Sequence, residues 1–133
     1  MKTSLARTNA ILSFEAAADL TGMVGRFVVF NGTTNKVVLL SSATVKPLGL
    51  LLTDGKLGER VTVAIGAGGL AGTVRVKLSA AVTAPGAYLQ TTADGRVITA
   101  AATGARTVVA MNLETGAVDE LIEAVLFTPQ SLT

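Results

Sequence analysis

The chain has 133 residues, half of them hydrophobic, with 15% charged, only 4% aromatic and a formal net charge of +2. That length suits a single unit or a duplicated one, and that apolar share suits a packed chain rather than a disordered one. With no His and no Cys, it has no Ser-His-Asp triad, thiol nucleophile, imidazole or thiolate metal site, or disulfide.

Residues 1–21 are rich in Ala, Ser and Thr and show no period-two alternation, so they read as an N-terminal arm. No continuous apolar stretch follows Lys2 and Arg7, which argues against a signal peptide. Ser13 is placed to cap a short helix through Ala16, Ala17 and Leu20, one that needs tertiary support at this length. From Gly22 to the C-terminus, short β-branched runs alternate with turn chemistry. The spacing predicts strands at 26–31, 36–40, 48–53, 60–65, 73–78, 87–91, 96–99, 107–112 and 120–127. Asn31-Gly32, Asp54-Gly55 and Asp94-Gly95 tolerate positive φ and mark hairpins between them. The expected fold is all-β, a small barrel or sandwich of eight or nine short strands forming a single unit over 22–133.

Residues 120–127 are ambiguous, because Val118, Leu121, Ile122 and Val125 also fit helical spacing. An internal echo decides for strand. Residues 25–65 can be laid on 86–126 at an offset of about 60, so that Phe27 meets Tyr88 and Lys36-Val37-Val38 meets Arg96-Val97-Ile98. The counterpart of 120–127 is then 60–65, where Val61, Val63 and Ile65 alternate cleanly. The echo leaves two readings open: a duplicated four-stranded unit, or chance similarity in a chain where Ala, Gly and Thr supply 53 residues.

Gly66-Ala67-Gly68-Gly69-Leu70-Ala71 satisfies G-x-G-x-x-A, but the residues after it alternate as a strand. Without a following helix the phosphate-binding loop loses its dipole and its N–H fan, so a plain inter-strand loop is expected. Asp119, Glu120 and Glu123 lack the alternating ligand spacing of a calcium loop and read as surface charge. Asn31-Gly32-Thr33 is explained by turn geometry. The cations are scattered singly with few aromatics between them, which argues against nucleic acid. No apolar run reaches the length of a membrane-spanning helix. No enzyme, cofactor or metal is expected. Leu50-Leu51-Leu52 and Val108-Val109 place apolar groups on both faces of a strand, so one face is expected to need a partner, most simply other copies of the chain.

The segment from Phe14 to Gly22 with Gly25-Arg26-Phe27-Val28-Val29 resembles the N-terminal region of the capsid decoration (cement) proteins of tailed bacteriophages. Further matches are Pro47-Leu48-Gly49-Leu50-Leu51, Gly58-Glu59-Arg60-Val61-Thr62-Val63, Ala84-Pro85-Gly86-Ala87-Tyr88-Leu89 and the segment from Glu120 to Leu126. Val108-Val109-Ala110 departs from that pattern where a glycine is usual. The resemblance implies a non-enzymatic virion protein on the capsid outer surface, present in the host cytoplasm during assembly. Its partners would be the major capsid protein and itself, as a homotrimer. Within that reading the arm is the expected capsid grip, through Leu5, Arg7, Ile11, Leu12 and Phe14. The same composition also serves a tail, baseplate or fibre-associated β module, or a small glycan- or ligand-binding barrel.

Overall fold

The structure, a computed structural model, describes residues 11–65 and 72–133. Short alternating runs are too short to bury a face alone, and here they pair into two antiparallel sheets with no helix among the described residues. Sheet 1 comprises β1 (Ile11–Glu15), β2 (Phe27–Phe30), β3 (Val37–Leu39), β4 (Gly49–Leu51) and β5 (Arg60–Ile65), in the order β1-β5-β4-β2-β3. Sheet 2 comprises β6 (Val74–Lys77), β7 (Tyr88–Thr91), β8 (Val97–Thr99), β9 (Arg106–Asn112) and β10 (Leu121–Leu132), in the order β6-β10-β9-β7-β8.

The all-β expectation holds, with ten strands where the sequence predicts nine. The additional one is β1, inside the segment read as an arm, and no helix forms after Ser13. The alternation there is only five residues long, with Leu12 and Phe14 turned to one face, and it gains its pairing from β5: Leu12↔Val63 and Phe14↔Val61. The segment 120–127 is a strand and runs on to Leu132 past an irregularity between Leu126 and Gln130. Gly32 and Gly95 adopt positive φ in the β2–β3 and β7–β8 turns, whereas in the β4–β5 loop Gly58 does so rather than Gly55.

The two sheets repeat each other strand for strand. Phe27↔Leu50 and Leu50↔Ala64 in sheet 1 match Tyr88↔Met111 and Met111↔Val125 in sheet 2, an offset of about 61. Both edges also repeat: the parallel bridge Ala16↔Val37 has its counterpart in Leu78↔Val97. Each bridge draws the chain after the first edge strand beside the strand at the opposite edge, so each sheet curls and has an inner and an outer face. The repeated unit therefore has five strands, not four, the fifth being β1 and β6.

The faces are used differently in the two sheets. The inner face of sheet 1 forms its own cluster, with Val28, Val37, Leu51, Val61 and Val63 fully buried. Its outer face, carrying Phe27, Leu50 and Ala64, is buried against the inner face of sheet 2, where Val76, Leu89, Val109 and Ala124 complete the main core. Leu50 and Leu51 thus find cover on both faces of β4 within one chain. The need for a second partner inferred from Leu50-Leu51-Leu52 is met by sheet 2.

The seam between the sheets is closed by backbone. Lys77 N–H donates to Gly25 O and Phe27 N–H donates to Gly95 O, each at 2.8 Å. At Gly95 a β-carbon would lie 2.7 Å from Phe27 O, and φ is +80°. Only glycine lets the β7–β8 turn lie this close to β2.

Candidate functional site

Alternation along β7 turns Leu89 into the core and Tyr88 out of it. Along β10 it turns Ile122 and Ala124 in and Val125 and Phe127 towards the outer face. The Tyr88 and Phe127 rings meet edge to face at 5.8 Å and 67°, a favoured geometry for the aromatic quadrupoles. Beside them runs an open groove of about 360 Å³ lined by Tyr88, Val108, Phe127, Gln130 and Leu132. Phe27 is 2% exposed, while Tyr88, its counterpart, is 60% exposed. Apart from Gln130 and the Tyr88 hydroxyl the lining is apolar, so this surface is suited to holding another apolar surface by burial.

A polar network lies at the seam of the two sheets. Asp94 receives Arg96 Nη2 at 2.7 Å, Arg96 Nη1 reaches Asp119 Oδ1 at 2.8 Å, and Arg26 Nη1 stands 3.9 Å from Asp94. Asp119 sits at φ 65°, the left-handed region that aspartate enters more readily than most residues. The hydrogen bond from Arg96 holds the Asp94 carboxyl well below the usual carboxylate range, with Thr92 and the Arg96 backbone adding to it. A depressed folded-state pKa contributes stability that is fully present above the unfolded value and lost as pH falls towards the folded one. The melting temperature of the chain is therefore expected to fall below about pH 4. In Asp94→Asn the part of that fall due to this carboxyl should be gone. Parallel thermal-melt-against-pH curves for the two proteins would contradict the assignment.

The residues singled out in the sequence are dispersed. Ile11, Leu12 and Phe14 lie in β1, with Phe14 packed on the sheet 1 cluster and edge to face on Phe30 at 5.6 Å. They belong to the sheet and do not project from it as an arm. Leu5, Arg7 and the glycine-rich loop from Gly66 to Ala71 lie outside the described residues. After that loop β6 is a strand, as its alternation predicts. Glu123 accepts from Thr73 Oγ1 at 2.7 Å and Asp119 pairs with Arg96, and among the described residues no three acidic side chains gather around a point. Sequence reasoning did not find the Tyr88–Phe127 surface. The usable signal was Phe27 aligned with Tyr88 in the echo, together with apolar Val108 and Val109 on opposite faces.

This architecture defines a class of fold: two curled five-stranded antiparallel sheets in tandem, the outer face of the first set into the inner face of the second. No family model matches the chain, and no curated protein does. Among solved structures it is similar to the head fiber gp8.5 N base of bacteriophage phi29, with a TM-score of 0.66 over 92% of this chain and 96% of that one. At 14% identity, the likeness is one of fold.

Proposed function

We propose that the protein is a structural component of a bacteriophage head, binding the outer surface of the capsid as a homo-oligomer, a trimer in the simplest case. The observation that carries this reading is the fold shared with a phage head fiber base over nearly the whole of both chains. The glycine and apolar pattern that resembles decoration proteins supports it independently. A protein that binds only the expanded, assembled lattice stabilises that state by mass action. Repeated weak contacts from one oligomer add through effective concentration. The role asks for binding surfaces and no catalytic group.

Since Leu12 and Phe14 are committed to sheet 1, the capsid grip in this reading passes to residues 1–10, with Leu5 and Arg7 as its apolar and cationic contacts. Purified protein is expected to co-sediment saturably with empty expanded heads lacking it, and electron cryo-microscopy should show it on their outer surface. Deleting residues 1–10 should leave the melting temperature nearly unchanged and weaken head binding at least tenfold, about 1.4 kcal/mol or more. Absence of saturable binding would overturn the capsid reading. Unchanged binding by the truncated chain would overturn the grip alone. The same fold likeness favours one second reading, the base of a head fibre, which the same images would reveal as density continuing outward from the protein.

A further inference from the structure

Two sheets have four faces, and the chain fills three of them itself. The inner face of sheet 1 is closed by its own cluster, with Val28, Val37, Leu51, Val61 and Val63 fully buried. The outer face of sheet 1 and the inner face of sheet 2 are buried against each other. The fourth, the outer face of sheet 2, has no cover among the described residues. Tyr88 is 60% exposed there, Leu113 41% and Leu132 38%, with Met111, Val125 and Phe127 partly exposed between them. A contiguous apolar face of this kind is unfavourable in water and marks an interaction surface.

We infer that the occupant of this face is the same face of a second copy, the copies gathered about a common rotation axis. Among the described residues the other exposed large apolar side chains are Ile11, Phe30, Val45, Leu57, Val118 and Leu121. These stand at strand ends or in loops and form no second face, so the apolar sheet face that a copy can offer is this one. Its rim carries charges of both signs. Arg75 and Arg106 lie on the same side of the sheet as Glu123, and Arg75 pairs with Glu114 at 3.7 Å. Such a rim can meet a copy of itself without gathering charge of one sign, and a net charge of +2 adds little repulsion. The face measures at most four inter-strand spacings by the length of β10, roughly 19 by 40 Å. That outline is close to the about 800 Å² per partner of a standard interface. The contact therefore has to use the face nearly whole, as one sheet packed on another does. The inference rests on the homo-oligomeric part of the proposed function and is independent of the capsid.

The chain reports on this contact directly, since Tyr88 is its one tyrosine and it has no tryptophan. At high micromolar concentration the tyrosine fluorescence should be shielded from acrylamide, and on dilution it should become quenchable. Light scattering after size exclusion should fall over the same range from a multiple of 13.4 kDa towards the single chain. Tyr88→Glu and Leu132→Glu change exposed side chains, so each should keep the strand spectrum while weakening self-association at least tenfold. Leu57→Glu alters a still more exposed apolar side chain, in the β4–β5 loop, and should leave self-association unchanged. A wild type that is monomeric at high micromolar concentration would overturn the inference together with the homo-oligomer. It would not touch the capsid reading, which co-sedimentation with heads decides. An oligomer whose Tyr88 stays as quenchable as in the monomer, or one that resists both Tyr88→Glu and Leu132→Glu, would overturn the choice of face alone.

Discussion

Phe27→Ala is expected to destabilise the chain by about 3–5 kcal/mol, whereas Tyr88→Ala, at the equivalent position of the second sheet, costs about 1 kcal/mol in the monomer. The two aromatics stand in equivalent strands, β2 and β7, in the same register and opposite equivalent neighbours, Leu50 and Met111. They differ in what lies above them. Phe27 is sealed between the sheets, so its removal forfeits transfer free energy and leaves a cavity that the surrounding backbone bonds to Gly25 and Gly95 keep from collapsing. Tyr88 loses mainly its edge-to-face contact with Phe127. For a chain of this length about 4 °C accompanies each kcal/mol, so the melting temperature should drop by about 12–20 °C for Phe27→Ala and by a few degrees for Tyr88→Ala. Melts followed by circular dichroism, at concentrations dilute enough to keep the chain monomeric, decide it. Equal losses at the two positions would mean that the sheets do not pack with the first outside the second.

Gly49→Ala is expected to cost about 2–3 kcal/mol, from overpacking. A glycine in an ordinary strand conformation is normally improved by alanine, by roughly 0.5–1 kcal/mol, and Gly49 has no positive φ. Here the sign is reversed by space. A β-carbon on Gly49 would press on the carbonyl oxygen of Ala64 and lie 3.0 Å from its carbonyl carbon and 2.9 Å from Val63 Cγ1. Backbone cannot rotate away as a flexible side chain can, so the β4–β5 ladder would have to part. Sheet 2 carries Ala110 at the matching place, between Leu89 and Leu126 as Gly49 lies between Val28 and Ile65. The departure from the decoration-protein pattern at Val108-Val109-Ala110 is therefore a local difference in how closely the two sheets pair. Ala110→Gly should lose only the burial and backbone terms, about 1 kcal/mol. Urea unfolding of both variants would check the contrast, and a Gly49→Ala chain as stable as the parent would refute it.

Much of the fold is legible along the chain because strands are local. Alternation in Arg60–Ile65 and in Val74–Lys77 places one face inward whatever the partner turns out to be. Asn31-Gly32 and Asp94-Gly95 set two turns because positive φ is a property of the residue. The alignment of Phe27 with Tyr88 already carries the repeat, since equivalent strands need equivalent spacing. The short strand Ile11–Glu15 escapes such reasoning. Five residues with two inward side chains carry too little pattern, and only the pairing with β5 makes them a strand.

The sequence by itself determined the all-β class, nine of the ten strands, the turns at Gly32 and Gly95 and the match of Phe27 with Tyr88, because each of these follows from residue type and a spacing of two; along β4 and β5 an offset of 60 falls one residue short of the pairing, in which Leu50 is equivalent to Met111. It could not decide which face of each sheet is covered. Phe27 and Tyr88 read alike as aromatic positions in a β pattern, and their opposite fates, buried in the main core and exposed beside a groove, depend on which sheet lies outside the other. That order is a property of two sheets in contact, set by the fit of one curled surface into the next. Pairwise periodicity does not encode it. The exposed surface, and with it the candidate for association, therefore came only from the tertiary structure.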